Sequence, residues 1–155
     1  MVTLRQTRPT DLDHFFAFQR DPEAVRMAAF TAADPDDRAA FDAHWARNTA
    51  NPTVFQRTIT VDDTVVGSIA TFEMDGDTEV TYWVDRAWWG KGVATAALGL
   101  LLAEVSTRPI AARVAKGNPG SLRVLERNGF RVVGEDSGFA NGRGEVTGEY
   151  VLRLD

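Results

Sequence analysis

Apolar and polar side chains alternate through VTLRQTR, residues 2–8, which predicts a strand. The period then lengthens. In TDLDHFFAFQRD the residues Leu12, Phe15, Phe16 and Gln19 share one side of a helix, with Thr10 at the N-cap position. A turn-rich TAADPDD precedes RAAFDAHWARN, where Ala40, Phe41, His44 and Trp45 again fall at helical spacing. Three strand-like runs follow: TVFQRTITVD and TVVGSIATFEM meet at Asp62 and Asp63, and DGDTEVTYWVD comes after an MDGD turn, so they form an antiparallel meander. A helix over about residues 91–106, a strand in PIAARVAKG and a helix in NPGSLRVLERNGF come next, the last closed by Gly129 as its C-terminal cap. Two final strands, FRVVGED and GEVTGEYVLRLD, are joined by the glycine-rich SGFANGRG. This order predicts an α+β fold: a mixed, mostly antiparallel sheet of six to seven strands, one βαβ crossover and about four helices.

At 155 residues the chain has room for one domain, 1–155, with a substantial core. No apolar run reaches the roughly 20 residues of a membrane span, and MVTLRQTRPTD lacks the apolar centre of a leader. The expectation is a cytoplasmic protein with no membrane partner. There is no cysteine, which excludes disulfides, thiolate metal sites and a covalent cysteine intermediate. No other clustering in the sequence calls for a metal. A net charge of -5 gives no general field for nucleic acid and suits a small or cationic substrate.

The chemistry concentrates in VDRAWWGKGVATAAL, where a strand gives way to a helix across two glycines. A helix N-terminus carries partial positive charge and N–H groups without intrahelical partners, so it suits an anion such as phosphate. Glycine at 90 and 92 lets the backbone turn and present the amides of Lys91, Gly92, Val93, Ala94 and Thr95 to one ligand, while the Lys91 ammonium adds charge or stays solvated. The simpler alternative is a tight turn with no ligand. A P-loop is excluded because Arg86 stands where its first glycine belongs and Gly92 follows the lysine. A dinucleotide fingerprint fits poorly, since Thr95 occupies the third small position and no acid follows the next strand.

WGKGVATAAL resembles the pyrophosphate loop of the GNAT superfamily of N-acyltransferases, Gln/Arg-x-x-Gly-x-Gly/Ala, with Gly92 and Ala94 at the small positions. Trp89 stands in place of Gln or Arg, a form common in the branch resembling ribosomal-protein N-terminal acetyltransferases. NPGSLRVLERNGF is similar to that branch's second motif, and the element order agrees along nearly the whole chain. The resemblance implies that the strand before the loop and the strand after it splay apart. Acetyl-CoA would then lie between them as co-substrate, its pantetheine along the backbone of Trp83 and Val84 and its pyrophosphate at Trp89 to Thr95, including Gly90. It implies that Asn118 contacts the CoA arm, unless that residue only caps its helix with Pro119 in the first turn.

The implied reaction moves an acetyl group to a primary amine by direct attack in a ternary complex, which requires a proton acceptor and a stabilised thiolate. Glu79 shares a face with Thr81 and Trp83 and is the candidate base, with Glu73 as the alternate. Many members of the family place a tyrosine acid where this chain has Leu125, so Ser121 or an ordered water is the candidate near sulfur. That missing tyrosine keeps a second reading open, a silent acyl-CoA-binding or interaction module. Glu73, Asp75, Asp77 and Glu79 around one hairpin favour a cationic acceptor, be it a peptide or a small amine. A monomer and a homodimer are both compatible with the resemblance. His14 and His44 sit among aromatic residues on the early helices and read as structural; Phe15, Phe30 and Trp45 are candidates for an acceptor wall or for core packing.

Overall fold

The computed structural model describes all 155 residues as a seven-stranded sheet with five α-helices. The strands are β1 (Val2–Arg5), β2 (Phe55–Val61), β3 (Thr64–Met74), β4 (Asp77–Val84), β5 (Ile110–Ala115), β6 (Arg131–Ala140) and β7 (Glu145–Leu154), in spatial order β1-β2-β3-β4-β5-β7-β6. The helices are α1 (Asp11–Gln19), α2 (Pro22–Ala28), α3 (Arg38–Ala50), α4 (Val93–Glu104) and α5 (Pro119–Arg127). No helix is long and apolar enough to cross a membrane.

Every strand pair is antiparallel except β4 with β5, which are joined through α4. Those two strands are paired only at Thr78 with Ile110 and at Glu79 with Ala111, and beyond Glu79 they diverge. The expected splay is therefore present, and it starts at Val80.

Two hairpins explain the meander. Asp62 and Asp63 both adopt positive φ, 48° and 69°, and Asp75 and Gly76 do the same at 54° and 83°, the backbone of tight two-residue hairpin turns. At the end of α5 the N–H of Phe130 bonds the carbonyl of Leu125 and that of Gly129 bonds Glu126, a Schellman closure that satisfies the last turn. The main core lies between the sheet and the α4/α5 layer, with Ile59, Ile69, Leu98, Leu101, Ile110, Leu125 and Leu152 fully buried.

Three expectations change. A short helix, α2, fills the stretch between the two early helices; Asp21 caps it by accepting from Ala24 N–H, and Pro22 suits its first turn. Thr10 does not cap α1, because its backbone is already helical and its side chain makes no capping bond. Asp11 instead turns back to accept the Arg8 N–H at 2.8 Å, which fixes the chain as it enters that helix. Finally, β6 continues through Ser137, Gly138 and Phe139, so the expected glycine-rich loop shrinks to the turn 141–144.

Candidate active site

A cavity of about 570 Å³ opens beside the free end of β4. Tyr82, Trp83 and Val84 form one wall, the loop and first turn of α4 a second, the start of α5 a third, and Ala24, Met27 and Ala28 of α2 the fourth. At its floor Gly90 and Gly92 have φ of 75° and 77°, the left-handed region that L side chains resist. A side chain at either glycine would project into open space, so nothing covers the backbone there. Gly92 is the N-cap of α4, and its carbonyl accepts the first intrahelical bond from Ala96. The amides of Val93, Ala94 and Thr95 therefore lie in the first turn without intrahelical partners, and all three residues border the cavity.

Trp89 also borders it, yet its indole N–H donates to the Val84 carbonyl at 2.9 Å. That bond folds the loop back onto the end of β4. The Val84 carbonyl is thus already engaged by protein, while the Trp83 carbonyl is seated against Gly67 of β3, where a Cβ would collide with it. Trp83 leaves its buried indole N–H without a partner. From Trp89 to Thr95, Lys91 alone does not line the cavity: its ammonium sits 5.4 Å from the centre of the Trp88 ring.

Asn118 both caps and lines. Its Oδ1 accepts the Ser121 N–H at 3.3 Å and Pro119 takes the first turn of α5, while its amide N–H₂ makes no bond to protein. Ser121 lies on the same wall, and its Oγ is 2.6 Å from the phenol oxygen of Tyr82. Burial pushes the Tyr82 phenol up to about 12 although the Ser121 bond pulls it down. Leu125, which stands where many relatives carry a tyrosine acid, is packed in the core.

Glu79 is only 6% exposed, so burial raises its carboxyl above the ordinary range, against an opposing pull from Arg113. By strand alternation it faces away from Tyr82, and it is not part of the cavity wall. It stands four positions before Trp83, about 13 Å along an extended strand. The Arg113 Nε lies 3.6 Å from Glu79, and its Nη1 lies 2.8 Å from Glu149 and 3.1 Å from Asp136. Glu73 is exposed and stands opposite Thr78 rather than Glu79.

Sequence reading overlooked Arg123 and Arg127. They are four residues apart on α5, line the cavity and form no ion pair, and only the fold brings them to the same cavity as the α4 N-terminus. The histidines stay outside. His44 contacts Asn48 at 3.2 Å and its imidazole is lowered mainly by burial, while His14 rests near Phe18. Phe15 is buried against Trp45 with ring centres 5.0 Å apart, and Phe30 is exposed near Gly138. No group of three His, Cys, Asp or Glu residues is placed to hold a metal ion.

A sequence profile of the acetyltransferase (GNAT) domain matches residues 1–131. The chain belongs to the GNAT acetyltransferase family. No curated protein sequence matches it. Among solved structures, Mycobacterium smegmatis RimJ in complex with CoA-disulfide superposes with a TM-score of 0.83 at 22% identity, covering 99% of this chain and 81% of that one. The spermidine N-acetyltransferase of Vibrio cholerae, in complex with CoA and spermine, gives 0.78 at 16% identity, with 98% and 95% covered. A GNAT-family acetyltransferase from Bacillus anthracis gives 0.74 at 19%, with 99% and 93% covered. These likenesses establish a shared GNAT fold.

Proposed function

We propose that this GNAT protein transfers an acetyl group from acetyl-CoA to a cationic primary amine by direct attack in a ternary complex. The observation that carries the reading is the opening of β4 away from β5 beside a cavity whose floor is a glycine-turned helix N-terminus. Acyl-CoA fits these residues. The first amides of α4 suit a pyrophosphate, and Arg123 and Arg127 bring two unpaired guanidinium groups for its phosphates. The free Asn118 amide on the cavity wall would donate to the pantetheine, and the orphaned Trp83 indole N–H marks a donor that a bound acceptor oxygen would satisfy. Bound acyl-CoA supplies the activated thioester.

Glu79 is the base in this reading. A carboxyl raised by burial has a basicity closer to neutral pH, and because Glu79 stands outside the cavity wall the amine's proton reaches it along a chain of waters rather than directly. On the same side of the sheet one Arg113 is shared by Glu79, Asp136 and Glu149, with Asp75 and Asp77 close enough to act on Glu79. Three carboxylates on one guanidinium leave an excess of negative charge, which attracts a cation. The Vibrio cholerae enzyme carries a polyamine on the same fold. Attraction at these partly exposed groups weakens with salt.

Incubating the protein with acetyl-CoA and a panel of amines, then weighing the products by mass spectrometry, tests the assignment. The expected result is an N-acetylated cationic amine with one free thiol released per product. Acetylation confined to alcohols or to anionic acceptors would overturn it. Replacing Gly92 with Val strains the left-handed backbone and covers the amides, so CoA affinity should fall at least about tenfold by calorimetric titration, whereas NAD should not bind the parent at all.

A further inference from the structure

Two hydroxyls meet inside the cavity. Tyr82 rises from β4 and Ser121 from the first turn of α5, 39 residues apart in sequence, and their oxygens stand 2.6 Å apart. The Tyr82 oxygen is also 3.3 Å from the Ser121 carbonyl, a longer and weaker second acceptor for the same phenol proton. The phenol ring is largely buried against the main core, so its oxygen is held in place. Asn118 fixes the other partner by accepting the Ser121 N–H. Both residues border the cavity, and Leu125 offers no hydroxyl.

We propose that Tyr82 and Ser121 act as one hydrogen-bonding unit for the departing thiolate, Ser121 donating to sulfur and Tyr82 donating to the Ser121 oxygen. This rests on the acetyl-transfer reading above. The amine nitrogen bonds the acetyl carbon, the carbon–sulfur bond breaks and its electron pair leaves on sulfur. The amine's proton passes to Glu79 or water, and the sulfur later takes a proton from water. Tyr82 and Ser121 keep their own protons. A donor is strengthened when its oxygen itself accepts a hydrogen bond, so the phenol makes the serine a better partner for negative charge than it would be alone. Because burial holds the phenol protonated up to about 12, it remains a donor across the whole working range.

The test is steady-state turnover at saturating amine for Tyr82→Phe, Ser121→Ala, the double variant and Ser121→Thr. Each of the first two should lower kcat about tenfold with KM for acetyl-CoA within about twofold, as loss of an interaction made only in the transition state requires. The double variant should lose little more than either single one, because the pair works as a unit. Ser121→Thr, which keeps the hydroxyl, should retain most of the parent's kcat, so the serine arm stands even if Tyr82→Phe does not fold. Unchanged kcat in Tyr82→Phe, or losses that multiply to about a hundredfold in the double variant, would overturn the unit. So would a basic limb in the parent's kcat profile that Tyr82→Phe abolishes, since the phenol would then be giving up its proton. A parent that releases no thiol with any amine removes the acetyl-transfer reading itself and this inference with it, whereas turnover in the parent matched by Tyr82→Phe removes the inference alone.

Discussion

Asp11 and Glu79 are both carboxylates withdrawn from water, 2% and 6% exposed, and their surroundings push them in opposite directions. Burial would raise Asp11. Two parallel bonds from Arg5, one from the Arg8 N–H and one from the Thr58 hydroxyl, each 2.8 Å, outweigh it and hold the carboxyl down at about 2. Glu79 has no hydrogen bond to match these, only Arg113 at 3.6 Å, and its carboxyl stays raised. A carboxylate that accepts four hydrogen bonds is a fastener between β1, β2 and α1. One that is buried, raised and under-bonded has capacity left to accept a proton. In the function proposed above, that difference separates structure from chemistry on the same side of one sheet.

The largest effect should come from cutting the fastener. Asp11→Ala leaves Arg5, the Arg8 amide and Thr58 without their shared partner, and the expected loss is about 3 kcal/mol of folding stability, measured by urea denaturation. Survival with less than a few tenths of that loss would dissolve the contrast. Protonation should do the same more gently. Because the folded pKa of Asp11 is depressed, its contribution is complete above about pH 4 and is lost as pH falls toward about 2. Roughly 2 kcal/mol of acid sensitivity should therefore disappear in the Asp11→Ala variant.

Glu79 should behave with the opposite sign. Its folded pKa is raised, so its charge costs stability as pH rises above its ordinary range, and Glu79→Gln should be as stable as the parent or slightly more so at neutral pH. Thermal unfolding checks this; a clear loss would make Glu79 a second fastener. The smallest expected effect is a displacement of pH dependence. Arg113 lowers the Glu79 pKa, so Arg113→Gln should move the acid-side limb of kcat/KM to higher pH. A limb that stays put, or moves down, would mean that the titrating base is another group.

The elements that set the site were legible because local rules dictate them. Asp62-Asp63 and Asp75-Gly76 fix hairpins by backbone preference, and Gly90 and Gly92 mark a turn that a side chain would strain. The helix α2 escaped notice because it is only seven residues long, less than two full turns and too short for its apolar spacing to repeat. Its signal was there in Asp21-Pro22, a cap and first turn. The same helix supplies one cavity wall and is tied down by contacts no local pattern reveals: Asp21 pairs with Arg86 at 2.9 Å, and Arg143 donates to the carbonyls of Arg26 and Met27. Tyr82 is a sheet aromatic of β4, yet its hydroxyl gains a partner in Ser121 through the β4–α4–β5–α5 path, which no local pattern reveals. Arg123 and Arg127 carried no local signal, and only the fold brings them to the cavity that the α4 N-terminus also lines. Likewise, Glu79 was legible as a residue, whereas its burial and its share in Arg113 depend on β5, β6 and β7.

The most direct measurement is the pH dependence of kcat/KM for acetyl transfer in Glu79→Gln beside the parent, with CoA affinity and thermal stability recorded on the same samples. The account predicts a parent rate that rises with pH through a limb above the ordinary glutamate range. In Glu79→Gln that limb should vanish and turnover should drop about a hundredfold, with CoA affinity and stability preserved. Undiminished turnover with the parent's pH profile would contradict it, leaving Glu79 as a buried charge without a chemical role.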